Sequence, residues 1–243
     1  MEKIASISKH KRIPRAKSVI ERAMWEHQGL ICGVDEVGRG CLAGPVVTAA
    51  VILYPKATFA LLKDSKLLTK EQRERAARWI KEHSWYAYGM VSHDEIDRLN
   101  VYWATKCAMK RAVLHVCASM TCLPGKIIVD AVPLSFDLTA LAHIPVEYFP
   151  FAEQQSISVA AASIVAKVKR DELMGEFEKL FPGYALAIHK GYATEQHRNC
   201  VTQLGRSIIH RKTFEYCVHN NGGAHERQIS LFCGDSRKLP DVL

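Results

Sequence analysis

What this chain of 243 residues lacks narrows its reading first. It has eight cysteines but no C-x-x-C pair: Cys32, Cys41, Cys107, Cys117, Cys122, Cys200, Cys217 and Cys233 stand singly. That spacing argues against a zinc site or a disulfide framework. The apolar settings of Cys32, Cys107 and Cys117 read as reduced, structural thiols of a cytoplasmic protein. No apolar run reaches the roughly 18 residues that a membrane span needs. The first residues, MEKIASISKHKRIPRAK, are basic but hold no apolar h-region, so they do not read as a secretory signal. Internal repeats and low-complexity tracts are also missing, which leaves repeat architectures out. Acids are the minority charge, 25 Asp and Glu against 33 Lys and Arg, for a net +8. A basic chain suits a polyanionic partner, with plain solubility as the simpler explanation.

What is present concentrates in residues 33–53, GVDEVGRGCLAGPVVTAAVIL. Asp35 and Glu36 follow the apolar Leu30, Ile31 and Val34. Gly38-Arg39-Gly40 comes next, then a run rich in β-branched residues from Val46 to Leu53. Two charges at the end of a buried strand are costly unless something positive meets them. A divalent cation is the usual answer to clustered carboxylates, and hard oxygen ligands favour Mg²⁺ or Mn²⁺. The glycines let backbone N–H groups approach a phosphate or a sugar edge. The plainer alternative is a strand-ending turn whose acids are merely solvated.

The length suits one domain with appendages. The boundaries fall as a basic arm and short helix over 1–29, a main domain over 30–217, and a mobile tail over 218–243. The short helix is expected over 16–28. Strands are expected at 30–36, 45–53, 85–93, 126–130 and 146–151. Thr69 with Gln72 fits a capping box that opens a helix. Further helices are expected over 94–119, 156–180, 194–204 and 206–217. The order implies an α/β fold, a mixed five-stranded sheet with helices on both faces.

Asp130 ends the apolar strand KIIVD, at the edge where open α/β sheets bind ligands. If its strand neighbours the one ending in Asp35 and Glu36, three carboxylates converge, because adjacent strands are roughly 4.8 Å apart. Successive strand residues face opposite ways, so the strand is expected to depart from regularity near Glu36. A fourth acid, Asp171, falls on the inward band of SISVAAASIVAKVKRD with Ile157, Ala161, Ile164 and Val168. Its plainer reading is an i,i+4 pair with Lys167. Clustered acids in a basic chain suggest two-metal phosphoryl chemistry.

These residues resemble ribonuclease HII, the type 2 ribonuclease H. The likeness rests on GVDEVGRGCLAGPVV, DSKLL, IIVDA, SISVAAASIVAKVKRD, HKGYATEQH and HRKTF, in order across most of residues 30–215. The resemblance implies an RNase H-like fold with additional C-terminal helices. It implies an endonuclease that cuts RNA paired to DNA and cuts 5′ of a single ribonucleotide in duplex DNA, leaving 3′-hydroxyl and 5′-phosphate ends; the chain is expected to act as a monomer. It assigns the metal-binding, catalytic acids to Asp35, Glu36, Asp130 and Asp171. It places Gly38, Arg39 and Gly40 on the ribose 2′-hydroxyl, the group that separates RNA from DNA. It makes Tyr192 the residue that stacks on the neighbouring deoxyribose. Two departures stand out: Asp130-Ala131 where many members have Asp-Gly, and PFAEQQS over 150–156, with Glu153 and Gln155, where many carry Gly-Asp followed by Lys; the second is expected to leave the metal acids unaffected and to alter local substrate contacts.

Lys66 is a candidate phosphate contact, with a simple pre-helix turn as the alternative. Ser163 and Lys167, one or two turns before Asp171, are candidates to orient a phosphate. Ser163 is equally able to bond a helix carbonyl. His189 and His197 lack a third metal ligand and read as structural. The cluster from Arg206 to Lys212 reads as a solvated basic face. QISLF, over 228–232, is a short candidate for a replication-clamp contact. Three rivals remain. Ribonuclease HIII carries a large N-terminal domain, for which 29 residues are too few. A non-catalytic binding module would not need four acids. A DNA nuclease of the same fold would cut all-DNA duplex.

Overall fold

The computed structural model describes residues 18–214. The expected basic arm, the tail with QISLF and the end of the expected 206–217 helix lie outside them. The element order begins with helix α1 (Val19–Glu26), strands β1 (Ile31–Val37) and β2 (Val46–Leu53), helix α2 (Lys70–Glu82) and strand β3 (Ser84–Val91). It continues with helix α3 (His93–Ala118), strands β4 (Lys126–Asp130) and β5 (Val146–Phe149), and helices α4 (Ile157–Leu180), α5 (Leu186–His189) and α6 (Glu195–Leu204).

The five strands form one mixed sheet in the order β3-β2-β1-β4-β5. The β1–β2 and β2–β3 pairs are antiparallel, and the β1–β4 and β4–β5 pairs are parallel. The alternation of apolar residues explains its burial on both faces. Cys32, Val34, Ala50, Ile52, Ile127 and Val129 pack against α3 through Met109, Val113 and Val116. Ala49, Val51 and Leu53 pack against α2 and α4 through Ala77, Ile80, Ala161 and Val165. Helix α4 lies so close to β1 that a Cβ at Gly33 would collide with the Ser158 backbone. The alanines of α4 permit that approach.

The capping box at Thr69 forms as expected, with Gln72 N–H donating to Thr69 Oγ1 and Thr69 N–H to Gln72 Oε1. Helix α3 has a break that the sequence reading missed. Asn100 takes φ 61°, and its Oδ1 accepts from Tyr102 and Trp103 N–H, so it caps the second half of the helix.

Two expectations are corrected. Pairing of β1 with β2 stays regular through Val37, and the chain turns away only at Gly38. Residues 206–214 are not helical. Gly44 N–H donates to Ile209 O and Arg211 N–H to Leu42 O, and Ala43 bridges to His210. Those bonds to 42–44 use the backbone groups that a helix would have needed.

Candidate active site

In β1 and β4, Val34 lies opposite Val129, so Asp35 continues beside Asp130 at the C-terminal edge of the sheet. Both follow the alternation toward α4. Asp35 is 8% exposed. Glu36 points the other way along the strand, but it is the penultimate strand residue and reaches the same opening. The result is a cleft of about 280 Å³ lined by Asp35, Glu36, Asp130, Glu153, Gly38 and Tyr192, among others. Arg39, Gly40, Lys66, Ser163 and Lys167 also border it, as do Asp64, Ser65 and Arg73.

Asp171 does not enter this cleft. Lys167 Nζ donates to Asp171 Oδ1 at 2.7 Å, and Asp171 lines the neighbouring groove with Lys70, Glu172 and Lys190. The fourth acid of the cleft is Glu153, expected only as part of the altered 150–156 segment and given no metal role there. It sits in a 3₁₀ turn (Ala152–Gln154) just after β5, 6% exposed. Phe151 adopts φ 60°, which ends β5 and folds the chain back over the sheet edge. The Ala152 N–H donates to Asp130 Oδ1 at 3.0 Å, so the turn is fastened to the strand-end aspartate.

The electrostatics match a site built for a cation. Burial pushes the Asp35 carboxyl well above the usual carboxylate range, and Glu36 and Asp130 push it further. Burial raises Glu36 too, against the pull of Arg39, whose Nη1 donates to Glu36 Oε1 at 3.0 Å. Glu153 is raised by burial, then by Asp130 and Asp64. The Oε2 atoms of Glu36 and Glu153 are buried without a hydrogen-bond partner. An orphaned buried carboxylate oxygen is costly, and a divalent ion is the group that would satisfy several at once. Among the described residues no three such side chains already stand in ligating range of one point.

The rim is polar and basic. Asp64 Oδ1 accepts from Lys66 N–H, setting Lys66 at the mouth. Ser163 Oγ shares a hydrogen bond with Ser65 Oγ at 2.9 Å and neighbours Asp35. Tyr192 is 38% exposed, with Lys167 Nζ 5.6 Å and Arg170 Cζ 5.8 Å from its ring centre. Gly38 has φ 95°, and a Cβ there would strike the Arg170 side chain, so only glycine fits. His189 and His197 are buried, their rings stacked 4.2 Å apart, as structural histidines would be.

The family model described as Ribonuclease HII matches residues 32–217. The chain belongs to the ribonuclease HII family. It is 42% identical to ribonuclease HII of Thermus thermophilus over 204 residues, 82% of this chain and 93% of that one. Among solved structures it is similar to RNase HII of Archaeoglobus fulgidus, which was solved in complex with PCNA. That match has a TM-score of 0.64 at 25% identity and covers 76% of this chain and 95% of that one. It is likewise similar to ribonuclease H2 of Pyrococcus horikoshii, with a TM-score of 0.62 at 26% identity over 82% of this chain and 98% of that one. Membership in the ribonuclease HII family makes the chain a metal-dependent nuclease that hydrolyses RNA in RNA–DNA hybrids. No described helix is long and apolar enough to cross a membrane.

Proposed function

We propose that this cleft cuts the RNA strand of hybrids and also cuts 5′ of a single ribonucleotide embedded in duplex DNA, leaving 3′-hydroxyl and 5′-phosphate ends. Asp35, Glu36, Asp130 and Glu153 would hold two Mg²⁺ or Mn²⁺ ions, with Glu153 taking the place expected for Asp171. Bound there, such ions supply an activated water and offset charge on the leaving oxygen. The chain's own residues do the rest. Gly38-Arg39-Gly40 meets the ribose 2′-hydroxyl, and Tyr192 offers a face to the next sugar. Lys66 and Lys167 meet the backbone phosphates.

The observation that carries this reading is the cleft itself. Three carboxyls with raised pKa and two orphaned carboxylate oxygens open onto a glycine-rich backbone and a ring of cations. A solvated turn would show none of these. The likeness to the Archaeoglobus fulgidus protein solved with PCNA supports a replication-clamp contact as well. The deciding experiment maps the cut on a duplex with one ribonucleotide, with and without Mg²⁺. Cleavage 5′ of the ribonucleotide only with metal is expected. Cutting of an all-DNA duplex, or cutting unaffected by chelator, would overturn the reading.

A further inference from the structure

Arg211 is fully buried, and its guanidinium is spent on main-chain carbonyls. Nη2 donates to Gly38 O at 2.6 Å and to Gly44 O at 2.9 Å. Nη1 donates to Arg39 O at 2.7 Å, and Nε to Gly44 O at 3.1 Å. The side chain cannot drift, because Arg211 N–H is held by Leu42 O at 2.8 Å and the Phe214 ring lies 5.0 Å from Cζ. On the other side Arg170 holds Ala43, Pro45 and Lys190 carbonyls. A buried fork that grips carbonyls at two consecutive residues dictates the orientation of the peptide planes.

Every peptide bond in the described chain is trans. In a planar trans peptide the C=O of one residue and the N–H of the next point in opposite directions. With the Gly38 and Arg39 carbonyls turned to Arg211, the N–H groups of Arg39 and Gly40 are directed away from it. Gly38, Arg39 and Gly40 line the cleft. We infer that Arg211 is the positioning residue for ribose selectivity: it aims the Arg39 and Gly40 amides at the 2′-hydroxyl without touching substrate. This deepens, and rests on, the proposed role of Gly38-Arg39-Gly40. Lysine cannot substitute, because it has the charge but not the planar fork that spans two acceptors.

The test uses the full-length enzyme in Mg²⁺. It compares KM for a single-ribonucleotide duplex with Ki for the same duplex in all-DNA form as competitor. In Arg211→Lys, KM should rise about 30-fold, the worth of two ordinary hydrogen bonds, while Ki stays put. A Ki/KM ratio kept at the unsubstituted value, with only the melting temperature lowered, would mean Arg211 is structural and would overturn the inference alone. An unsubstituted enzyme with Ki equal to KM would overturn the role of the tripeptide and the inference together. Should the lysine variant fail to fold, NMR of the unsubstituted protein decides. The Arg39 and Gly40 amide signals should move with the ribonucleotide duplex and not with the all-DNA duplex. Unmoved signals overturn the role of the tripeptide and the inference together.

Discussion

Replacing Asp35 with asparagine should stop cleavage and at the same time stabilise the metal-free protein. Asp35 is nearly buried beside Glu36 and Asp130, and its pKa is raised by burial first and by those neighbours next. A carboxyl with a folded pKa above its unfolded value of about 3.9 binds more protons when folded. Stability therefore falls as pH rises through the window between the two values, and the whole penalty is present above the folded pKa. Asparagine keeps an Oδ1 to accept the Glu36 N–H, seen at 2.7 Å, but carries no charge. Without metal, the variant should melt higher than the parent at neutral pH and show a flatter pH profile. Added Mg²⁺ should reverse the order. At 100 times its Kd a ligand adds about 2.7 kcal/mol. At about 2–4 °C per kcal/mol for a chain of this size, that raises the parent's melting temperature by about 5–11 °C. The variant should lose most of that rise and more than about 100-fold in rate, since even outer-shell partners of a metal cost 10–100-fold. Hybrid binding should survive. Thermal melts at pH 5 and 8, with chelator and with Mg²⁺, decide it. A metal-free variant that is less stable than its parent at pH 8, or one that responds to Mg²⁺ as the parent does, would refute the reasoning.

Glu153→Gln should cut the rate by more than about 100-fold, while Asp171→Asn, outside the cleft, should cost about tenfold or less; the reverse ranking in single-turnover assays would restore Asp171 to the metal site. Tyr192→Ala should weaken binding of the single-ribonucleotide duplex by about 1–3 kcal/mol, and Tyr192→Phe should keep most of it; equal losses in KM for the two would argue against a stacking face. Gly33→Ala forces a Cβ into the Ser158 backbone and should cost about 1–3 kcal/mol in denaturant melts. The same shift of α4 should slow cleavage about 100-fold, because a displacement near 1 Å is that damaging. Parental stability and rate in that variant would contradict the close packing.

Much of this site is legible along the chain because its acids terminate apolar runs. Asp35 and Asp130 end strands, and the parallel pairing of β1 and β4 brings them together as the edge rule requires. Glu153 was in view within the altered 150–156 segment, but nothing local marked it as a metal acid. It follows Phe151 in the left-handed region and belongs to a single 3₁₀ turn, so no periodicity marks it. A signal was nonetheless available. The strand before it, β5, is parallel to β4, so the residues leaving its C-terminal end emerge at the edge that holds Asp130. Asp171 lies in the neighbouring groove and not in the cleft, because an inward band on a helix says nothing about reach, and its local partner Lys167 was already in view. The segment 206–214 read as a basic helical face because sequence spacing cannot reveal that Arg211 would find its acceptors in residues 38–44.

Glu21 of α1, fully buried, accepts from Ser158 N–H at 3.0 Å and from Ser156 Oγ at 2.5 Å. The start of α4 is thus fastened by a residue 135 positions earlier. Such a long-range tie closes late in folding, since loop closure comes before its reward. During synthesis Glu21 emerges long before Ser156 and Ser158, so its buried carboxylate finds these partners only once the start of α4 has been made. Trimming the stretch ahead of β1 would therefore fray a helix two-thirds of the way along the polypeptide, far from the cut.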